Sequence, residues 1–254
     1  MTDQFARTRL MFGPDALAVL AHKRVALFGI GGVGGYVAEA LTRTGIGALD
    51  IIDSDSVCLS NLNRQIIATH STLGSLKTEA MKQRLSDINP ACQVIDHACF
   101  YLPETADQFD LESCDYVIDA VDTVTAKIHL TMQAQAAHTP IISAMGAGNK
   151  TDPTAIRIAD IYDTSVCPLA RIMRKELRKR NVKALKVAYS TEPPLKPFEA
   201  SEEEEPSCQH GESELSTCSK RRSTPSSNAF VPAAMGLALA AEVTKDLIAD
   251  YWRA

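Results

Sequence analysis

The stretch Arg24-Val25-Ala26-Leu27-Phe28-Gly29-Ile30-Gly31-Gly32-Val33-Gly34-Gly35 constrains this chain more than any other. Strand-forming residues run into glycines, and Tyr36-Val37-Ala38-Glu39-Ala40-Leu41 then reads as a helix. Gly29, Gly31 and Gly34 stand in G-x-G-x-x-G spacing, with Gly32 between them. Glycines permit a tight strand-to-helix turn and close approach of the backbone to a phosphate. The helix N-terminus behind them offers N–H donors and a partial positive charge. A second strand, Leu49-Asp50-Ile51-Ile52, ends at Asp53. That is about 20 residues past the first glycine, where a ribose-binding carboxylate belongs. The expected fold is therefore α/β and Rossmann-like: a mostly parallel sheet with helices on both faces, extended by additional strands and a C-terminal helix. A glycine-rich turn that binds nothing is the alternative.

The residues after Asp53 indicate which nucleotide to expect. A dinucleotide dehydrogenase needs the ribose carboxylate and little else here. This chain adds Asp55, then Asn61-Leu62-Asn63-Arg64-Gln65, then Gly74-Ser75-Leu76-Lys77. Arg64 and Lys77 near a glycine turn suit a triphosphate, whose charge they can neutralise. The G-x-x-x-x-G-K-[ST] pattern of a P-loop is absent from the sequence.

Taken together, G-x-G-G-x-G, D-x-D-x-V, N-x-x-R-Q and the following lysine resemble the signature of ubiquitin-activating-enzyme-like adenylyltransferases, over about the first two-thirds of the chain. Such enzymes make an acyl adenylate from ATP and a carboxylate. The resemblance implies ATP held by Gly29, Gly31, Gly32, Gly34, Asp53, Asp55, Asn61, Arg64, Gln65 and Lys77. It makes Asp122 the residue that holds Mg2+ near the phosphates, which suits a hard cation's preference for carboxylate oxygen. It also implies a homodimer in which an arginine of the N-terminal arm reaches the partner's ATP. Arg7 matches that position by its spacing to Gly13, with Arg9 the nearby competitor. The implied catalytic set is Arg7, Arg64, Lys77 and Asp122.

With 254 residues, 45% of them hydrophobic, and a net charge of −5, the chain suffices for one adenylyltransferase domain. Residues 1–150 read as its nucleotide-binding half and 151–254 as its substrate-binding half. The N-terminus lacks a charged-then-apolar leader, so a cytoplasmic protein is expected. The seven cysteines are Cys58, Cys92, Cys99, Cys114, Cys167, Cys208 and Cys218. No C-x-x-C occurs among them, which argues against a four-cysteine zinc site. Their number and the expected compartment argue against a disulfide framework.

Along the chain, residues 1–23 read as an amphipathic arm and helix, and 76–88 as a helix stopped by Asn89-Pro90. Residues 92–100 read as the third strand. Tyr116-Val117-Ile118-Asp119-Ala120-Val121-Asp122 reads as a buried parallel strand ending in acids, with Asp119 either an acid behind Asp122 or a strand cap. A helix over 125–138 and a strand running into Gly146-Ala147-Gly148 come next. Residues 153–160 and 187–190 read as strands. A helix beginning at Cys167-Pro168-Leu169 carries Arg171, Arg174, Lys175, Arg178, Lys179 and Arg180, with Lys183 and Lys186 just after. In an acidic protein this is either a solvated face or a surface for a phosphate-rich partner. Residues 192–227 are expected to form a mobile insert; Cys208 and His210 in it are too few for a metal site. The Ala/Leu-rich C-terminal helix is broken by Glu242 and Lys245, so a membrane anchor is not expected.

Several further features are similar to those of tRNA threonylcarbamoyladenosine dehydratases: Arg43-Thr44-Gly45-Ile46-Gly47-Ala48, Ile88-Asn89-Pro90, Asp152-Pro153-Thr154, Pro168-Leu169-Ala170 and Tyr189-Ser190-Thr191-Glu192. This resemblance implies a tRNA substrate on the basic helix, through Arg171, Arg174, Lys175, Arg178 and Lys179. The reaction implied is cyclising dehydration through a carboxyl adenylate. A monovalent cation and a sulfur-transfer (cysteine desulfurase) partner are further expectations of it. Some relatives place a cysteine near the Ser-Asn-Ala-Phe segment. Ser226-Ser227 stand there in this chain, and Cys167 is the nearest substitute. Activation of a ubiquitin-like sulfur carrier, nucleotide sensing without catalysis, and dehydrogenase chemistry remain the rival functions.

Overall fold

Strand β1 (Arg24–Phe28) lies between β2 (Ala48–Ile52) and β4 (Tyr116–Asp119), parallel to both, with Phe28 opposite Ile52 on one side and Asp119 on the other. Strand β3 (Gln93–His97) extends the sheet beyond β2, and β5 (Ile141–Ala144) beyond β4. Next come β7 (Lys186–Ser190), parallel to β5, and β6 (Ile156–Asp160), antiparallel at the edge. The order is β3-β2-β1-β4-β5-β7-β6 in one seven-stranded sheet. The direction of winding reverses between β1 and β4, the switch point at which open α/β sheets bind ligands. The computed structural model describes residues 3–198 and 225–252. Cys208, His210, Cys218 and most of the expected mobile insert lie outside the described residues.

Alternation along the strands sends side chains to two cores. Val25, Leu27, Leu49 and Ile51 meet Val37 and Leu41 of α3 (Gly34–Thr44), and Met235, Leu239 and Val243 of α7 (Val231–Leu247). Ala26, Phe28, Ile52 and Val117 face the other way, onto Ala126, Leu130 and Ala134 of α5 (Val124–Ala136) and onto Tyr101. Each fully buried large apolar side chain contributes about 1.5–3 kcal/mol. Both faces being covered explains why β1 reads as an unbroken apolar run. Gly45, at φ 99°, ends α3 in the left-handed conformation that glycine adopts without strain. A Cβ added to Gly236 would lie 2.4 Å from the Val33 carbonyl oxygen, so α7 approaches the glycine turn only because this residue is bare.

Helix α6 (Pro168–Lys179) buries Ala170, Met173 and Leu177 against Val187 and Tyr189 of β7, leaving its charged positions outside. At the other end of the chain, α1 (Ala6–Phe12) buries no residue and α2 (Pro14–Leu20) buries Ala16 and Leu20. Helix α4 is Lys77–Ile88. No described helix is long and apolar enough to cross a membrane.

Three elements differ from the sequence reading. The third strand is five residues, not nine, because only Gln93–His97 lies beside β2. The acid-ended strand stops at Asp119, which is wholly buried, while Asp122 lies in the exposed turn beyond it. Residues 153–160 split into a one-turn 3-10 helix (Pro153–Ala155) and β6, with Asp152 capping the turn by accepting the Thr154 N–H.

Candidate nucleotide site

The glycines of the first turn do different jobs. Gly29 has φ 92°, and a Cβ there would meet the Ala120 carbonyl oxygen at 2.6 Å. A Cβ on Gly34 would fall 1.8 Å from the Gly29 oxygen, so this glycine is where α3 presses onto the turn. Gly32 faces Pro232 and the Arg64 stem at 3.2 and 3.4 Å. Gly31 alone opens onto space: no atom lies within 4 Å of the Cβ it lacks. The opening turn of α3 has no side-chain cap. Bare backbone, an uncapped helix start and an open side are what an incoming phosphate needs.

Asp53, at the end of β2, accepts the Ile30 N–H at 2.7 Å and the Asp55 N–H at 2.9 Å. It therefore buttresses the glycine turn as well as facing the crevice. Lys77, at the start of α4, is buried, with Nζ 2.6 Å from Asp55 Oδ2 and 3.6 Å from Asp53 Oδ1. Two carboxylates and one ammonium leave a net negative charge in this cluster. Burial pushes the Asp53 carboxyl above the usual range, with Lys77 pulling against it. For Lys77, burial works to lower the pKa, but the two carboxylates outweigh it and the net shift is upward.

The Asn61–Gln65 segment folds as a tight turn after the 3-10 helix Leu59–Asn61. Asn61 is buried, and its Oδ1 accepts the Cys58 N–H at 3.1 Å. Arg64 Nη1 donates to the Ser60 carbonyl at 2.7 Å and to Asn63 Oδ1 at 2.9 Å. Gln65 is buried with its Oε1 lacking any hydrogen-bond partner. An orphaned buried acceptor is costly unless a ligand supplies a donor. Asp122 sits exposed between β4 and α5, beyond the end of the strand.

A set of contacts that the sequence reading did not anticipate closes the other side. Asn149, at φ 59°, accepts the Ser226 N–H and Oγ–H on its Oδ1 at 2.8 and 2.9 Å, and donates its own N–H to the Ser226 carbonyl at 2.8 Å. Asn228 Nδ2 donates to the Lys150 carbonyl at 2.6 Å, and Asn63 Nδ2 to the Ser227 carbonyl at 3.1 Å. Residues 225–228 thus lie between the N-x-x-R-Q turn and the glycines that come after β5. Glu192 accepts N–H groups of Thr151 and Asp152 at 3.0 and 2.9 Å, which hold its carboxyl below the usual range. In the sequence Ser226, Ser227, Asp152 and Glu192 stand only within family motifs, and nothing pairs them with one another or with Asn149.

Burial pushes the Cys92 thiol up to about 11, which keeps it protonated and unreactive. Cys167, preceding α6, is buried with its sulfur near Gly146. Among the described residues, Cys58, Cys92, Cys99, Cys114 and Cys167 form no disulfide with one another.

The arm and the basic helix are only partly available to partners. Arg9 is paired with Asp3 of its own arm at 2.5 Å, whereas Arg7 is exposed with no ion pair among the described residues. Arg174 donates to the carbonyl and hydroxyl oxygens of Thr164, and Arg178 lies over the Tyr162 ring at 5.1 Å. Lys179 and Arg180 pair with Glu176, and Lys186 with Glu242 and Asp246. Arg171, Lys175 and Lys183 are exposed with no ion pair among the described residues.

The open side of Gly31, the orphaned Gln65 oxygen and the cations Arg64 and Lys77 fit a nucleoside triphosphate. No group of three or more His, Cys, Asp or Glu able to hold a metal occurs among the described residues. A divalent ion on Asp122 would therefore need oxygens from the nucleotide itself.

Comparison with known proteins gives the same outline. The chain is 43% identical over 251 residues to the tRNA threonylcarbamoyladenosine dehydratase of Bacillus subtilis (strain 168), covering 98% of this chain and 96% of that one. It is 40% identical over 175 residues to the protein of that name from Escherichia coli (strain K12), covering 69% and 65%. The crystal structure of the E. coli tRNA N6-threonylcarbamoyladenosine dehydratase in complex with ATP superposes with a TM-score of 0.83 at 31% identity, covering 97% of this chain and 94% of that one. Residues 5–251 match the ThiF family, and the chain belongs to it.

Proposed function

We propose that this protein catalyses the ATP-dependent dehydration of threonylcarbamoyladenosine in tRNA to its cyclic, hydantoin form. The observation that carries the reading is near end-to-end similarity to a dehydratase of that name, 98% of one chain against 96% of the other.

The chemistry derives from the substrate. A free carboxylate is a poor acyl donor because oxide would have to leave. Its oxygen attacks the α-phosphorus of ATP and pyrophosphate departs, which leaves an acyl adenylate. The ureido nitrogen then forms a C–N bond to the activated carbonyl, the C–O bond to AMP breaks, and the nitrogen's proton passes to solvent. Attack within one molecule has a high effective molarity, so no enzyme nucleophile is needed.

In this reading Asp53 holds the ribose hydroxyls, with Gly29, Gly31, Gly32 and Gly34 lining the phosphates. Asn61 shapes the turn and Gln65 supplies its unused acceptor. Arg64 and Lys77 neutralise phosphate charge, with Asp55 releasing Lys77 as the nucleotide enters. Asp122 would hold Mg2+, which would offset negative charge on the phosphates. Arg7 completes the site of a second copy in a homodimer, since Arg9 is engaged on Asp3. Arg171, Lys175 and Lys183 meet the tRNA backbone directly. Arg174, Arg178 and Lys179 would first have to leave Thr164, Tyr162 and Glu176. A monovalent cation, a cysteine desulfurase partner and a cytoplasmic setting belong to the same reading.

The test is ATP–pyrophosphate exchange. Exchange should need tRNA that bears threonylcarbamoyladenosine. Exchange driven instead by the tail of a ubiquitin-like carrier, and not by this tRNA, would overturn the reading.

A further inference from the structure

Lys127 is among the largest fully buried side chains in the molecule and has no part in the chemistry above. It stands on α5 and faces Asp119, itself wholly buried. Its Nζ lies 3.1 and 3.2 Å from the two Asp119 oxygens, 2.7 Å from the Ala144 carbonyl and 3.4 Å from Ser143 Oγ. Ser143 Oγ–H donates to Asp119 Oδ2 at 2.5 Å. Asp119 Oδ1 also accepts the Val121 N–H at 3.2 Å.

Stability alone does not call for such a pair. Replacing a buried ion pair by apolar residues of similar volume is often neutral or stabilising. The pair instead supplies direction. One ammonium ties the ends of two neighbouring strands, β4 and β5, to a single point on α5. The chain leaves those two ends as the Val121–Asp122 turn and as the Gly146–Gly148 loop. The first carries Asp122, the acid that would hold Mg2+, and the second leads to the Asn149 seam.

We propose that Lys127 and Asp119 are a positioning pair for adenylation: held by the ammonium, Asp119 fixes the Val121 N–H and so aims Asp122 at the nucleotide phosphates. The proposal rests on the assignment of Asp122 to Mg2+. It assigns Lys127 no contact with ATP or tRNA.

The test uses the full chain carrying Lys127→Met, Asp119→Leu and Ser143→Ala together, so that no buried charge or hydroxyl is stranded. The triple variant should melt within about 5 °C of the parent, since no net stability is lost. Its kcat for tRNA-dependent pyrophosphate exchange should fall about a hundredfold, the order expected of a displacement near 1 Å. At saturating Mg2+ the KM for ATP should stay within about threefold, because the glycine turn and Asp53 that hold the nucleotide are untouched. The Mg2+ concentration for half-maximal exchange should rise. A folded triple variant with parental kcat and Mg2+ dependence would overturn the proposal. So would a triple variant that fails to fold, because the pair would then be a brace for the sheet. Asp122→Ala is the control. If it keeps full exchange, the reading of the site fails. If it loses exchange while the triple variant does not, only the positioning role fails.

Discussion

Lys77 Nζ lies 2.6 Å from Asp55 Oδ2, in a cluster where Asp53 is the second carboxylate and Lys77 the only cation paired with either acid among the described residues. The lysine expected on the phosphates is thus held by acids that a triphosphate must displace. Lys77→Met should remove exchange activity and cost up to about 3 kcal/mol of stability, the lower end for a broken buried pair because Asp55 is partly exposed. The pH dependence has a definite sign. The raised Lys77 value makes its contribution full below 10.5 and lost as pH rises through the folded value. In the variant, Asp53, already raised by burial, loses the Lys77 charge that opposed the rise and can relieve that cost only by taking up a proton. Chemical denaturation should therefore show the deficit shrinking as the pH falls below the carboxylate range. A deficit that does not change with pH would contradict this.

The glycine turn separates folding from binding. Gly34→Ala places a methyl 1.8 Å from the Gly29 oxygen and should destabilise by about 3 kcal/mol or more. Gly31→Ala meets nothing within 4 Å, so its stability should stay within about 0.5 kcal/mol of the parent. ATP affinity of Gly31→Ala, read by calorimetry, should nonetheless collapse. Parental affinity in that variant would move the phosphates elsewhere.

Arg7 and Asp122 can be tested against each other. Arg7→Ala and Asp122→Ala proteins should each be inactive. Mixed in equal amounts with free subunit exchange, they should recover about a quarter of parental activity, because half the dimers then contain one intact site of two. No recovery, with exchange of subunits verified, would mean that Arg7 does not act across a dimer.

The basic helix holds two kinds of positive charge. Removing Arg171, Lys175 and Lys183 together should weaken tRNA binding and reduce the salt slope by about 0.7–0.9 for each phosphate that is no longer neutralised. ATP affinity should stay at its parental value. Arg174→Ala should instead loosen the Thr164 turn, visible as faster amide exchange there, because its guanidinium is bonded to that residue. An unchanged salt slope in the triple variant would leave the helix a solvated face.

Much of this was legible in the sequence wherever function and local structure share one motif. The glycine turn, Asp53 and the N-x-x-R-Q segment announced themselves by spacing. Lys127 did not, because a lysine on a helix reads as solvent-facing until Asp119 is seen across from it. The partners of Arg174 and Lys179 were equally invisible, since a run of charge says nothing about which members are already neutralised. The seam between Asn149 and Ser226 joins residues far apart in the chain, and no local pattern records it. Asp122 was read as the acid that ends the strand, yet the strand's true end at Asp119 depends on its pairing with β1 and β5.

The central claim is the reaction itself. Purified tRNA containing threonylcarbamoyladenosine is incubated with this protein, ATP and Mg2+, and its nucleosides are analysed by mass spectrometry under conditions that preserve the cyclic form. We predict that the threonylcarbamoyladenosine peak loses the mass of one water, with AMP and pyrophosphate formed in equal amounts and no change when ATP is omitted. Unaltered nucleoside in the presence of bound ATP, or water loss without ATP, would contradict it.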